Sequence, residues 1–340
     1  MSWNVVDPPA DYVAARNGVV IIDRSDRAVL RVHGRDPLRM VHNLVTNDVA
    51  GIGVYDAVYA VLLTPRGRMV ADLRVIRRET DLLLECDVLA RESLLDTWKH
   101  SVPPLFARLE DLSTNDPDAG LAVLGVYGPG SASLLSTVLD EAVPHEANEM
   151  KLFRRRFHNS ELLLLRTDDN AARGYDVILP VAAAALLSPA LVDAGAAAIG
   201  MATLDVLRIE AGRPKWGAEL DADVIPLEAG LFERAISTTK GCYTGQEVII
   251  RILHRGHVNW HLRGFLMGGV SPPERGVTLH RAGEPKTVGR ITSAAASPAL
   301  DQTIGLGYVR REVEPHAMLR LGSPEGPKIQ VVNLPFEPAP

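Results

Sequence analysis

Segment 239–263 contains the residues best suited to take part in chemistry, among them the second of the chain's two cysteines. Cys242 lies two residues after Lys240 and shortly before Thr244 and Glu247. A threonine followed three residues later by a glutamate is typical of a capping box, in which each side chain accepts a hydrogen bond from the other residue's backbone N–H at the start of a helix. The apolar residues that follow recur with a helical period, so we expect a short helix from about Gly245 to His254.

Cys242 therefore stands just before the positive end of a helix dipole, with the cationic Lys240 nearby. Both influences lower the pKa of a thiol, and the thiolate is the nucleophilic and metal-ligating form. The alternative is a buried cysteine that acts as a small apolar side chain. Cys86 alternates with leucines in a predicted strand, which favours that structural role for it.

Cationic residues are concentrated around the predicted helix, where Lys240, Arg251, Arg255 and Arg263 accompany only one acidic residue, Glu247. Such a patch could receive an anionic ligand, or it could be a solvated helix end with favourable C-terminal cations. Two nearby histidines lie three residues apart, but no Cys, Asp or Glu completes a ligand set, so we predict no metal site.

Composition limits the class of protein. The chain has 340 residues, 46% hydrophobic and 23% charged, with a formal net charge of −6, which disfavours a protein that mainly coats nucleic acid or anionic membrane. Two cysteines do not make a disulfide framework. The first residues lack the pattern of a signal peptide, and no apolar stretch is long enough to span a membrane. We therefore expect a reduced, cytoplasmic protein.

Two runs of mixed strands and helices are predicted before residue 212. The first run is predicted as strands 28–33, 57–63, 69–77 and 82–88, with helices beginning at Pro37 and spanning 89–99. The second run is predicted as strands 121–127, 152–157, 161–166 and 175–179, with helices 131–139, 181–195 and 201–211.

The pattern changes beyond about residue 258, where six short β-type segments separated by turn signals predict a small all-β barrel or sandwich. These segments are 260–267, 276–280, 288–293, 305–310, 318–321 and 329–332. We therefore divide the chain into an α+β region of two lobes, 1–245, and a C-terminal β-barrel domain, 246–340.

The octapeptide KGCYTGQE at 240–247 matches the signature K-G-C-Y-x-G-Q-E of the YgfZ family, which is related to the glycine-cleavage T protein. Three further segments resemble T-protein motifs in the expected order: HNLVTNDV at 42–49, LRIEAGRPKWGAEL at 207–220 and IPLEAGL at 225–231. The resemblance extends over about residues 28 to 333.

This resemblance implies an α+β, three-lobed fold with tetrahydrofolate as cofactor in a central cavity. It also implies an accessory protein for iron–sulfur cluster assembly or repair, which supports iron–sulfur enzymes, including tRNA-modifying ones. The expected partners are folate and iron–sulfur client enzymes or assembly factors, without direct binding of nucleic acid or membrane. The resemblance implies these site residues: Cys242, Lys240 and Gln246 as catalytic residues, and Glu210, Asp72, Arg255 and Tyr243 as folate-binding residues.

One position departs from the T-protein pattern. T proteins carry an acidic pair after a Gly-Gly turn, and in the matching stretch 67–72 this chain has Ala71 followed by Asp72. With one acid missing, we expect glycine-cleavage aminomethyl transfer to be absent or very weak. Two alternatives stay open, namely a folate-dependent aminomethyltransferase or other one-carbon transferase, and a binding module whose cysteine is structural.

Overall fold

Three β-structures organise the chain, of which the computed structural model describes residues 9–114, 116, 119–145 and 147–336. Eight helices occur in these residues: α1 Ala10–Asn17, α2 Pro37–Leu44, α3 Arg91–Ser101, α4 Ser131–Leu139, α5 Val181–Asp193, α6 Met201–Glu210, α7 Phe232–Ala235 and α8 Gln246–Arg255. The strands of the same residues up to α6 are β1 Val20–Asp23, β2 Arg27–His33, β3 Ala57–Leu63, β4 Met69–Arg77, β5 Leu82–Asp87, β6 Arg108–Asp111, β7 Leu121–Tyr127, β8 Leu152–Phe157, β9 Ser160–Thr167, β10 Gly174–Pro180 and β11 Ala197–Ala198. The remaining strands are β12 Trp260–Met267, β13 Thr278–His280, β14 Thr287–Ser297, β15 Gln302–Arg310, β16 Met318–Leu321 and β17 Lys328–Val332.

The first lobe is built on a five-stranded antiparallel sheet with the order β3-β4-β5-β2-β6. The second lobe is built on a six-stranded sheet with the order β11-β1-β7-β10-β9-β8. Strand β1 belongs to the sheet of the second lobe, and the next strand, β2, belongs to the sheet of the first lobe. The chain therefore connects the two lobes near the start of the described residues.

The two sheets pack face to face through apolar side chains. Val29 and Ile76 of the first sheet belong to the same buried cluster as Leu163 and Ile178 of the second. Burial of such aliphatic side chains stabilises the fold by about 1.5–3 kcal/mol each. This apolar layer fixes the two sheets against each other.

The third structure is a closed six-stranded barrel, β12-β15-β14-β13-β16-β17, attached to the rest of the chain through α6. Arg208 of α6 donates to Glu219 at 2.8 Å and to the hydroxyl of Ser293 in β14 at 2.6 Å. Glu219 also accepts from the hydroxyl of Thr292 at 2.7 Å. These buried, charge-assisted contacts hold the barrel on the two-lobed part of the chain.

The α+β fold class with a C-terminal β-barrel is confirmed. The strands over 57–63, 69–77 and 121–127 have the predicted bounds, since their apolar runs end at clear turn residues. The prediction omitted short elements, α1, β1, β6, β11 and α7, which carry too few residues for a visible period. The division at residue 245 stays a prediction.

The predicted capping box is wrong. Helix α8 begins at Gln246, one residue later than expected, and its N-cap is Gly245 with φ 80° and no side-chain cap. A glycine adopts this left-handed conformation without the steric cost that a side chain would bring. A Cβ at position 245 would also lie 2.7 Å from the carbonyl oxygen of Thr64, so close packing on the β3–β4 hairpin sets the start of the helix.

None of the helices in the described part of the chain combines the length and the apolar composition that crossing a bilayer would require.

Candidate functional site

A polar cavity lies where the two sheets meet α6 and the segment that follows it; we call it the interlobe cavity. Its lining comes from the β1–β2 turn, β2, β3, β4, the end of β5, the loop after β9, α6, the segment 213–216 and α7. The lining residues used below are Arg27, Tyr59, Asp72, Arg74, Asp169, Arg213 and Arg234.

Asp72 is the acidic residue that β4 presents to the interlobe cavity. Its Oδ2 accepts a hydrogen bond of 2.9 Å from the hydroxyl of Tyr59, on the neighbouring strand β3. Its Oδ1 is buried and has no hydrogen-bond partner among the described residues. Burial raises the pKa of Asp72, and the cation of Arg27 and the hydrogen bond from Tyr59 lower it in part. The site therefore holds a carboxyl group with one unused acceptor oxygen.

Successive side chains of β4 point to opposite faces of the sheet, so the cavity keeps a carboxylate although position 71 is not acidic. Ala71 is fully buried in the apolar cluster of the first lobe, together with Leu73 and Val75. Asp72 and Arg74 have the opposite parity in the strand and line the cavity instead. The acid that faces the cavity is thus present, and Ala71 is no argument against folate chemistry there.

Other cationic side chains line the same cavity, and each is paired with a carboxylate. Arg74 binds Glu85 and also donates at 2.5 Å to Asp176 of the second sheet. Arg234 lies over the ring of Tyr59, 4.8 Å from its centroid, and donates to Asp169 at 2.8 Å. A buried charge is tolerated when it is paired and hydrogen-bonded, so these carboxylates hold the two arginines in place at the wall of the cavity.

The segment 240–247 lies outside the interlobe cavity, against the first lobe. The Nζ of Lys240 donates to three backbone carbonyl oxygens. One is that of His42, in the last turn of α2, and the others are those of Val45 at 2.7 Å and Asn47 at 3.1 Å, just after the helix. Burial lowers the pKa of Lys240 to about 8. Lys240 thus fastens the segment to the end of α2, where the helix dipole favours a cation.

The structure does not bring the other predicted residues of this segment to Asp72. Cys242 is exposed, whereas Tyr243 is buried and its hydroxyl has no hydrogen-bond partner among the described residues. Burial raises the pKa of Tyr243 to about 12. Gln246 begins α8 and Arg255 ends it on an exposed turn. Among the described residues that line the interlobe cavity, Asp72 alone belongs to the predicted site.

Glu210 lies at the end of α6, between α1 and the barrel. Its carboxylate accepts from the hydroxyl of Tyr12 at 2.9 Å and from the hydroxyl of Ser297 in β14 at 2.6 Å. It is buried but is not one of the residues that line the interlobe cavity. The structure therefore gives Glu210 a joining role between three elements, and its contact with a pterin stays a prediction.

Cys86 is fully buried in β5, in the apolar cluster of the first lobe, and burial raises its pKa to about 12. The structural role predicted for this cysteine is confirmed. Among the described residues, no group of three or more His, Cys, Asp or Glu side chains could hold a metal ion.

Sequence reasoning missed the residues that surround Asp72, above all Tyr59 and Arg234. One signal was available for the strands, since Asp72 and Arg74 are spaced by two in the otherwise apolar run of β4. That spacing places both side chains on one face, a polar face in a buried strand. Tyr59 pairs directly with Arg74 across the ladder, but this register is visible only in the fold.

Comparison with known proteins covers nearly the whole chain. A family model described as the GCVT N-terminal domain matches residues 8–240. A second model, described as the glycine cleavage T-protein C-terminal barrel domain, matches residues 261–336.

Similar proteins bear a consistent name. "Aminomethyltransferase" of Rubrobacter xylanophilus is 31% identical over 311 residues, which is 90% of this chain and 80% of the relative. "Aminomethyltransferase" of Chlorobium chlorochromatii is 26% identical over 89% of this chain and 82% of the relative. The crystal structure of glycine cleavage system aminomethyltransferase T from Bartonella henselae has a TM-score of 0.85 at 20% identity, over 96% and 88% of the two chains.

These findings overturn the function that the octapeptide suggested. The relatives are named for aminomethyl transfer, and none of these findings supports iron–sulfur assembly, iron–sulfur partners or tRNA modification. The interpretation as an iron–sulfur accessory protein is therefore wrong. The expectation of absent aminomethyl transfer loses its support, because the relatives are named for that transfer and Ala71 is buried in the apolar cluster of the first lobe.

Proposed function

The chain belongs to the glycine cleavage T-protein family, and on that premise we propose that it is a folate-dependent aminomethyltransferase. Tetrahydrofolate is the cofactor on which this family acts. The observation that carries the proposal is the buried carboxyl of Asp72, which lines the interlobe cavity and whose Oδ1 is unpaired among the residues described by the structure.

The residues of the interlobe cavity fit a reduced folate chemically. The unpartnered Oδ1 of Asp72 lacks a donor, and the ring and exocyclic N–H groups of a pterin are donors. Arg213 and Arg234 line both this cavity and an adjoining groove. Arg263 lies in that groove with its Nε buried and without a hydrogen-bond partner in the described part of the chain. Guanidinium groups suit the carboxylates that end a folate.

A bound tetrahydrofolate would supply the secondary amines that accept the one-carbon unit. In the proposed site, Asp72 would accept a hydrogen bond at Oδ1 and would hold a proton there when one is released. Its raised pKa makes it a stronger base than an exposed aspartate. Tyr59 would keep the carboxyl in one orientation through its bond to Oδ2, and Arg234 would keep the ring of Tyr59 in place.

The assignment to the YgfZ branch within this family rests on the octapeptide at 240–247 alone. The role of Cys242 in any reaction is likewise a proposal from that motif, since the cysteine is exposed and is not among the described residues lining the interlobe cavity. Cys242 is not needed for the transfer that we assign to Asp72.

The proposal is tested by turnover of the full chain with an aminomethylated lipoyl carrier protein and tetrahydrofolate. We expect release of ammonia that depends on both substrates. Calorimetry with tetrahydrofolate alone separates binding from transfer. Binding without any release of ammonia would contradict the proposed reaction and leave a folate-binding protein of another function.

A further inference from the structure

A second pocket lies at the N-terminal end of α4, where α1 and the loop before β10 meet it. It is lined by Arg16 of α1, Ser131 of α4, His145, Arg166 and Arg173, together with the turn 128–130. None of the described residues that line it is acidic. We call it the α4 pocket.

At the start of α4 the amide of Ser131 donates to the carbonyl oxygen of Gly128 at 3.0 Å, and the amides of Ala132 and Ser133 have no hydrogen-bond partner among the described residues. The helix has nine residues and follows Gly128-Pro129-Gly130, with Gly130 as N-cap, no side-chain cap and no acid in the first turn. The first amides of a helix have no partner within it, and they carry the positive end of the dipole. Anions bind readily at such an end when other groups assist.

Ser131 is an independent sign of a ligand. The residue is only 5% exposed and lines the α4 pocket. Its hydroxyl makes no hydrogen bond to any of the described residues, so it is free to bond a group that occupies the pocket. A ligand oxygen in the pocket would supply such a group.

The guanidinium groups give the α4 pocket an excess of positive charge. Arg166 is buried and is compensated by Asp168, at 2.7 Å. Arg173 is 4.0 Å from the same carboxylate and is largely exposed. Arg16 donates to the carbonyl oxygen of Ala171 at 3.0 Å and has no acidic partner among the described residues. Two of the three cations are thus left to act on an anion.

We propose that the α4 pocket binds a phosphate group, as inorganic phosphate or as the monoester of a small molecule. A tetrahedral dianion offers oxygens to the amides of α4, to the hydroxyl of Ser131 and to Arg16 at once. A single carboxylate has two oxygens and one charge, and it would leave part of this donor set unused. The site is separate from Asp72, and its existence does not depend on the aminomethyl transfer.

The test is calorimetry of the full chain at constant ionic strength, with inorganic phosphate and glycerol phosphate as probes. We expect one site. Arg16→Gln should weaken binding about tenfold, the loss of one charge-assisted hydrogen bond. Ser131→Ala, which changes little volume, should weaken it about fivefold. The matched controls are Arg156→Gln, on an exposed position of β8, and Thr137→Ala, further along α4.

Tighter binding of the ester would identify an organic phosphate as the ligand, and equal or tighter binding of phosphate would identify the free ion. Both results support the site when the two pocket variants weaken binding and the controls do not. No heat with either probe at millimolar concentration would overturn the proposal. Equal weakening by Arg16→Gln and Arg156→Gln would also overturn it, since it would indicate attraction by net charge alone.

Discussion

The hydroxyl of Tyr59 donates a 2.9 Å hydrogen bond to one oxygen of Asp72, whose other oxygen is buried and finds no partner within the residues that the structure describes. The contact joins neighbouring strands β3 and β4 and holds the carboxyl group on the wall of the interlobe cavity. Burial raises the pKa of Asp72, and the hydrogen bond from Tyr59 opposes that rise. The pair therefore sets both the position and the basicity of the proposed reacting carboxylate.

Tyr59→Phe should move the acidic limb of the pH profile to higher pH. The variant removes a hydrogen bond that stabilises the charged form of Asp72, so the pKa of this carboxyl rises further. We expect kcat/KM to fall about tenfold at neutral pH, the value of one charge-assisted hydrogen bond. The measurement is kcat/KM from pH 5 to 9, with Tyr55→Phe as control. An unchanged profile would show that Asp72 does not govern the reaction.

Glu210→Gln should destabilise the protein by about 1–3 kcal/mol, because a buried acceptor of two hydroxyl groups is replaced by an amide. Urea unfolding measures this loss. Calorimetry of the same variant with tetrahydrofolate tests the predicted pterin contact, which would appear as an affinity about tenfold lower. Full stability in the variant would contradict the joining role that the structure gives to Glu210.

Lys240 should make the folded state more stable as pH rises from about 8 to about 10. Its pKa is lowered to about 8 by burial, whereas a lysine in an unfolded chain titrates near 10.4. Between these values the unfolded state binds more protons, so the contribution of Lys240 to the unfolding free energy increases with pH. Lys240→Met should lack that increase.

The comparison requires urea unfolding of wild type and Lys240→Met at pH 7.5 and 9.5. Lys99→Met, at an exposed position of α3, is the matched control. The difference between wild type and Lys240→Met should change between the two pH values, and the difference for the control should not. Parallel behaviour of all three proteins would show that Lys240 is not held in the buried position described above.

Most of the fold could be predicted from the sequence because its strands are marked locally. Apolar runs such as 57–63 and 69–77 end at turn residues, and this is visible without knowledge of the partner strand. The start of α8 could not be predicted in the same way. Its N-cap is Gly245, because close contact with Thr64 on a distant hairpin leaves no room for a side chain there. The capping-box pattern of Thr244 and Glu247 does not reveal this tertiary contact, and the helix starts after Gly245 instead.

The candidate site was harder to predict because its residues meet only through the packing of two lobes. Asp72 was found through a motif, but the sequence gives no spacing that would link it to Arg234 or Asp169. The octapeptide around Cys242 is a contiguous segment, so it is visible in the sequence without knowledge of the fold. Lys240 is close to Cys242 in the sequence, but in the fold its ammonium group binds carbonyls at the end of α2.

Cys242 should react with an alkylating reagent at least about a hundredfold faster than Cys86 at pH 8, because only the first is exposed and burial raises the pKa of the second to about 12. Mass spectrometry of the native protein measures both sites. Cys242→Ala should keep aminomethyl transfer within about twofold of wild type, since truncation of an exposed side chain outside the cavity has small effects. A loss of turnover in this variant would place the reaction at the cysteine instead.

The central claim, that Asp72 is the reacting carboxylate, is tested most directly by turnover of Asp72→Asn with the aminomethylated carrier and tetrahydrofolate. The amide keeps the shape of the side chain but cannot hold a proton, so we predict a fall in kcat of about a hundredfold or more. Asp193→Asn, on an exposed position of α5, should retain full activity. If Asp72→Asn binds tetrahydrofolate and turns over at the rate of wild type, the carboxylate of Asp72 does not carry the reaction.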